Sequence, residues 1–285
     1  MSERNRSEGW HFAKMDGHNN EEALGVILRE SQELTNLLHQ TVFNEAPENA
    51  PKVLVDGSKH VASILGDKIT SKIDIDLVWP SRRLGLSVKK SKAGQVWLVG
   101  LDRFLRALVI KTGQKIPQDV ELVLSLFIGG ENLINFHKQF SEGLAASSGE
   151  KYHDQEVRQN RLVLATINKI QPEALVQTFD FFRKNLRLIT ELSFFSGLAS
   201  NPEDWAQIVI YNKVYSGKNV LSKNDLLQAM NLGANQNLVT PGDRNGGSTI
   251  KLPTGFLQMH KPQGLNLLQF HHSYERVIGC LKAVS

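Results

Sequence analysis

The sequence predicts an α/β domain with a central mixed β-sheet flanked by helices, on three observations. Apolar residues at helical spacing open the chain. Two short alternating segments follow, joined by a tight link. Helical patterns then fill the middle, and strand-like stretches return near the end.

Between Ala23 and Val42, the residues Leu24, Ile27, Leu28, Leu34, Leu38 and Val42 recur at the spacing of an amphipathic helix. Asn19 or Asn20 can cap it, and Glu21 and Glu22 suit the positive end of its dipole. Pro47 and Pro51 mark Asn44–Lys52 as a loop. Val53–Val55 is a short extended segment, closed by the turn pair Asp56-Gly57. Lys72 to Trp79 alternates, with Ile73, Ile75 and Leu77 on one face and Asp74, Asp76 and Val78 on the other, until Pro80 stops it. Leu84 to Lys90 alternates again, setting Leu84, Leu86 and Val88 against Ser87 and Lys89. The link Ser81-Arg82-Arg83 is short enough for an antiparallel hairpin.

Beyond Gly94 the pattern is mostly helical, around Asp102–Lys111, Gln118–Ile128, His153–Lys169 and Pro172–Leu186. Trp205–Tyr211 reads as a strand, and Ser222-x-x-Asp225 as the capping box of one more helix. Thr249–Leu252, Phe256–His260 and Leu265–His271 read as strands. With no repeat and no linker, the chain reads as a single domain over 1–285. A helical insertion occupies 116–223, and 240–285 is a candidate recognition segment.

Hydrophobic residues make up 41% of the chain and charged residues 22%, ordinary values for a soluble globular protein. Cys280 stands alone, which excludes an internal disulfide framework and suits a reducing cytoplasm. The start, MSERNRSEGW, lacks the apolar core of a signal peptide, and no apolar run reaches the roughly 18–20 residues of a membrane span. A soluble cytoplasmic protein without a membrane partner is expected.

The net charge of +4 is small, but its distribution is uneven. No acid lies between Asp76 and Asp102, where Arg82, Arg83, Lys89, Lys90 and Lys92 fall. From Arg244 onward Glu275 is the lone acid, against Arg244, Lys251, Lys261, Arg276 and Lys282. Phosphate backbones are attracted to such one-sign stretches. Two solvated basic faces balanced elsewhere by acidic helices are the alternative.

Phosphodiester hydrolysis needs a divalent cation on hard oxygen ligands, and a positive group that helps the nucleophile or the transition state. Asp74 and Lys89 meet that need from the polar faces of adjacent predicted strands, and Ser87 shares the face of Lys89. Taken singly, Asp74 and Asp76 also fit a solvated sheet face, Lys89-Lys90 surface charge, and Glu21 a helix terminus.

Lys72-Ile73-Asp74-Ile75 followed by Ser87-Val88-Lys89-Lys90 resembles the Asp…(Asp/Glu)-x-Lys core of PD-(D/E)XK nucleases. Ser87 stands where the second acid usually does. Gly17-His18-Asn19-Asn20-Glu21, after Gly9-Trp10 and Ala13-Lys14, resembles the Gly-His-x-Asn-Glu segment of a group of type II restriction enzymes. In that group an N-terminal helix sets its glutamate beside the metal. Helix geometry selects Glu21 over Glu22 for this role, because Glu21 shares a face with Leu24 and Leu28. Gly255-Phe256-Leu257-Gln258-Met259-His260-Lys261, then Leu267-Leu268-Gln269-Phe270, loosely resembles the group's Gln-Arg-Lys-Gly-Gly-Asp…Leu-Gln-Phe-Lys ending. Here His260 replaces Arg, Pro262 and Gln263 replace the glycines, and His271 replaces Lys.

The resemblance implies a restriction-endonuclease-like fold and site-specific cleavage of double-stranded DNA by a prokaryotic homodimer, with Mg2+ as cofactor and Mn2+ as its substitute. It implies Asp74, Glu21 and the Val88 carbonyl as metal ligands and Lys89 beside the attacking water. Lys90, Gln95, Arg244, Lys251, Gln258, His260 and Lys261 are the expected DNA contacts. Two alternatives stay open: a repair or defence nuclease without a fixed site, and an inactive DNA-binding module. Zinc spacing, a phosphate-cradling glycine loop and a Gly-x-Ser-x-Gly elbow are all missing from the sequence.

Overall fold

Ser31 interrupts the N-terminal helical pattern. Where one helix was expected there are two, α1 over 19–30 and α2, Gln32–Phe43. Ser31 adopts an extended backbone and its hydroxyl accepts the Leu34 N–H at 3.2 Å, so it caps α2. α2 ends at Asn44, whose φ of 58° is the left-handed geometry that asparagine tolerates. This computed structural model describes residues 19–47, 49–129, 161–211, 220–243, 246–260 and 267–282. None of its described helices is long and apolar enough to cross a membrane.

Backbone contacts divide the chain into two compact units. The first comprises Met1–Lys92 and Thr190–Leu227; the second, Ala93–Ile189 and Gln228–Ser285. The middle stretch, 116–223, is therefore shared. Its part up to Ile189 belongs to the second unit, and the remainder to the first.

The first unit holds a five-stranded mixed sheet. Its strands are β1 (Lys52–Val55), β4 (Ile75–Val78), β5 (Arg83–Lys89), β7 (Ile208–Tyr211) and β8 (Val220–Ser222), in that spatial order. β5 and β7 are parallel and every other pairing is antiparallel. Leu24 and Leu28 of α1 and Leu38 of α2 join Ile75, Leu77 and Leu86 of the sheet in one apolar cluster. A two-stranded hairpin, β2 (His60–Ala62) with β3 (Lys68–Thr70), completes the unit. Lys59, just before it, pairs with Asp204 at 2.9 Å.

The expected strand Lys72–Trp79 is shorter than its alternation suggests: β4 begins only at Ile75. Asp74 still bonds on both sides through its backbone, donating to Leu86 O at 2.8 Å and accepting from Asp56 N at 3.2 Å. Asp76 is not solvated. It is 9% exposed and forms a two-point pair with Arg83, through Nε at 2.7 Å and Nη2 at 2.5 Å. That pair holds the Arg83 guanidinium above its ordinary pKa, chiefly through the hydrogen bond to Asp76.

The second unit carries an antiparallel sheet in the order β6-β12-β11-β10-β9. These are β6 (Ala93–Gly100), β9 (Thr240–Pro241), β10 (Thr249–Leu252), β11 (Gly255–His260) and β12 (Leu267–Ser273). Its helices are α3 (Leu101–Thr112), α4 (Gln118–Ile128), α5 (Leu164–Ile170), α6 (Pro172–Lys184) and α10 (Tyr274–Lys282). α9 (Gly233–Gln236) also belongs to it, whereas α7 (Leu186–Glu191) and α8 (Lys223–Ala229) cross from one unit to the other. The helix expected over His153–Lys169 begins at Leu164, and 153–160 lie outside the described residues. The capping serine of α8 is in place, Ser222 Oγ accepting the Asp225 N–H at 3.1 Å.

Strand β6 had no counterpart in the sequence pattern, for a physical reason. A β-bulge interrupts its pairing with β12 between Phe270 and His271, so the adjacent residues Val96 and Trp97 are both buried. A strand containing a bulge loses the strict alternation by which strands are read.

Candidate active site

The β4–β5 register sets Ile75 opposite Leu86, and the N–H of Asp74, one residue before β4, donates to the Leu86 carbonyl at 2.8 Å. Asp74 Oδ2 accepts the Val88 backbone N–H at 2.6 Å and the Ser87 hydroxyl at 3.3 Å. The Lys89 ammonium donates to Ser87 Oγ at 2.8 Å and reaches the Val88 carbonyl at 3.5 Å. Carboxylate, hydroxyl and ammonium thus form a continuous chain across two strands. The expected convergence of Asp74 and Lys89 is observed, with Ser87 as the bridge between them. Ser87 is 1% exposed, so its hydroxyl requires these partners.

Lys72 is the site residue that sequence reasoning left without a role. It stands two residues before Asp74, and the period of two read over Lys72–Trp79 was the available signal. Its stem passes Gly197, where a β-carbon would stand 3.5 Å from Lys72 Cε and Cγ. Gly197 has a φ of 53° and ends a buried π-helical turn, Leu192–Ser196. Burial holds the Lys72 ammonium well below the ordinary lysine range; repulsion from Lys89 adds to this and Asp74 opposes it. The Asp74 carboxylate is accordingly flanked by two lysines.

Glu21 is half-buried on α1, on the face that buries Leu24 and Leu28, whereas Glu22 is exposed. The Glu21 carboxylate lies against Gly57. A β-carbon there would come within 2.7 Å of Glu21 Oε2, so a side chain at Gly57 would displace it. Gly57 follows Asp56, whose N–H donates to the Asp74 carbonyl. The turn that seats Glu21 therefore starts from the backbone of Asp74. Among the described residues, no three His, Cys, Asp or Glu side chains converge as a metal cage.

The expected DNA contacts fall in both units. Lys90 follows β5 and is half-buried. Gln95 is exposed on β6 and its Oε1 accepts from Gln269 Nε2 at 2.7 Å. Gln258 Nε2 donates to Gln269 Oε1 at 2.8 Å and meets His271 Nε2 at 3.0 Å. It therefore bonds to two side chains of β12. Lys251 pairs with Asp243, which precedes the acid-poor stretch and reduces its effective charge. His260 ends β11. Arg244 and Lys261 lie outside the described residues.

No known family's sequence profile matches the chain, and no curated protein sequence does. Its structure is similar to that of the restriction endonuclease MspI in complex with its cognate DNA. The TM-score is 0.43 at 10% identity, over 83% of this chain and 76% of the other. A likeness of that size carries no argument about activity.

Proposed function

We propose that this protein is a metal-dependent nuclease that cuts double-stranded DNA, with its reaction centre at Asp74, Ser87 and Lys89. The observation that supports the reading best is the hydrogen-bonded chain from the Val88 amide through Asp74 and Ser87 to the Lys89 ammonium. It fixes a carboxylate and a cation side by side at the end of two paired strands.

The donors fit a hard divalent ion such as Mg2+: a carboxylate at Asp74, a second at Glu21, and the Val88 carbonyl, all oxygen. Mg2+ typically keeps several waters and takes one or two carboxylates plus substrate phosphate oxygens, so a cage of three protein acids is not required. When bound, such an ion supplies Lewis-acid stabilisation of phosphoryl charge and a more acidic water.

The protein's own residues have separate tasks. The Val88 amide and the Ser87 hydroxyl hold Asp74 Oδ2, which orients its other oxygen. Ser87 also restrains the Lys89 ammonium, so that it is preorganised where a water attacks and negative charge develops. Lys72 interacts with both Asp74 and Lys89, and burial favours its neutral form. Ser87 serves as the link between acid and lysine, and Glu21 supplies the acid usually found at the position of Ser87.

The finer reading is a type II restriction enzyme acting as a homodimer, with Gln95, Gln258, Lys251, His260 and Lys261 contacting its site and Arg244 and Lys90 the backbone. Incubating plasmid DNA with the protein and Mg2+, against an EDTA control, tests both levels. Discrete fragments support a site-specific enzyme, and a smear supports a nuclease without a fixed site. Intact plasmid with retained DNA binding would leave an inactive binding module.

A further inference from the structure

We infer that His271 sets the donor–acceptor direction of a row of amides across the second unit's sheet, and thereby which DNA base edges that face accepts. The inference rests on the DNA-cleaving function proposed above.

The row follows from register. β12 presents Gln269 and His271 on one face; β11 places Gln258 opposite Gln269 and Phe256 opposite His271. The bulge in β6 brings Gln95 level with His271. Gln258 donates to both Gln269 Oε1 and His271 Nε2, and Gln269 donates onward to Gln95 Oε1. The His271 ring stacks on Phe256, with centroids 4.5 Å apart and planes within 9°, which holds the ring plane fixed.

Each amide has an acceptor on one side and donors on the other, so the orientation of one dictates the next. With Gln258 using its NH2 group on Gln269 and His271, the ring must accept at Nε2 and carry its proton on Nδ1. The row then offers an acceptor, Gln258 Oε1, at one end and the Gln95 NH2 donors at the other. A proton on His271 Nε2 would face donor with donor. Gln258 must then turn its oxygen to the ring, and Gln269 and Gln95 follow, reversing what the row offers.

Bases distinguish these two states in the major groove. Adenine N6 and cytosine N4 donate, whereas purine N7, guanine O6 and thymine O4 accept. Gln95 and Gln258 are two strand spacings apart, on the order of 10 Å, or roughly three base steps. The strands of this sheet carry no Asp or Glu, so the face suits a polyanion. Around His271 stand Gln269 and Ser273 of β12, Phe256 and Gln258 of β11, and Ala93 and Gln95 of β6. The charged group on this face is Lys251 of β10, opposite Phe256 and paired with Asp243.

Two measurements on the full chain test this. In 15N-labelled protein without DNA, His271 at about pH 7.5 should carry its proton on Nδ1. The side-chain amides of Gln258, Gln269 and Gln95 should then shift together as the ring takes up its second proton on acidification. His271→Phe, which keeps a ring against Phe256, should hold them still. A proton on Nε2 at neutral pH, or amides that ignore the ring, overturns the proposal. The second measurement enriches duplexes from a random-sequence pool, without metal, at about pH 5.5 and about pH 7.5. Two positions roughly three steps apart should change preference about tenfold with pH in the wild type and not in His271→Phe. Coupled amides with an unchanged consensus overturn the role in specificity. Coupled amides with no enriched sequence at either pH overturn the base-edge role alone, and plasmid left intact by the same preparation in Mg2+ overturns the DNA-cleaving reading instead.

Discussion

Lys89 donates from its ammonium to the Ser87 hydroxyl at 2.8 Å, and that hydroxyl donates to Asp74 Oδ2 at 3.3 Å. The lysine is thereby tied to the carboxylate through a residue that carries no charge. Lys89→Ala should lower DNA cleavage by roughly 100-fold or more while DNA binding persists, since a preorganised charge at the developing anion is removed. Ser87→Ala keeps both charges but releases the lysine, and should cost less. Cleavage by Lys89→Ala at near wild-type rate would place the reaction elsewhere.

Glu21 and Gly57 make a sharper pair of variants. Glu21→Gln should impair cleavage far more than Glu22→Gln, because Glu22 is exposed. Gly57→Ala should reproduce the Glu21 defect indirectly, its new methyl displacing the Glu21 carboxylate. That displacement moves only the end of a flexible side chain, so thermal stability should change by no more than about 0.5 kcal/mol. A normal rate in Gly57→Ala would show that the seated position of Glu21 has no bearing on the reaction.

Asp76 and Arg83 lie further along the same strands but serve the fold. Asp76→Ala strands a partly buried guanidinium, and should destabilise the protein by about 2 kcal/mol. Cleavage by the folded fraction should stay within a few-fold of wild type. Denaturant titration alongside a single-turnover rate separates the two effects, and a large rate loss at unchanged stability would move Asp76 into the reaction centre.

Cys280 is buried on α10, its Sγ within 3.4 Å of the Pro253 carbonyl. Burial pushes its thiol up to about 11, with Arg276 opposing more weakly. Because the thiolate is the reactive species, native protein should resist alkylation at ordinary pH and react only once unfolded. Rapid alkylation of the native protein at about pH 8 would contradict that burial.

Much of this was legible in the residues. Alternation in Leu84–Lys90 located β5 to within a residue, and the helical face of Leu24 and Leu28 turned Glu21 inward and Glu22 outward. Ser222 announced its cap. Other features arise only in three dimensions. The bulge opposite Phe270 and His271 erased the period of β6, and Ser31 split a continuous apolar stripe into two helices. The bridging role of Ser87 depends on cross-strand register, which a single strand's pattern does not contain. Lys72 was visible as a neighbour of Asp74, but its packing beside Gly197 joins residues more than a hundred apart in sequence.

The most direct test of the central claim is single-turnover plasmid cleavage in Mg2+ by Asp74→Asn, with DNA affinity and thermal stability measured on the same preparation. The account predicts a fold and an affinity close to wild type, with cleavage reduced by roughly 1000-fold, because the neutral amide replaces the anionic ligand. Cleavage by a folded Asp74→Asn within a few-fold of wild type would contradict it.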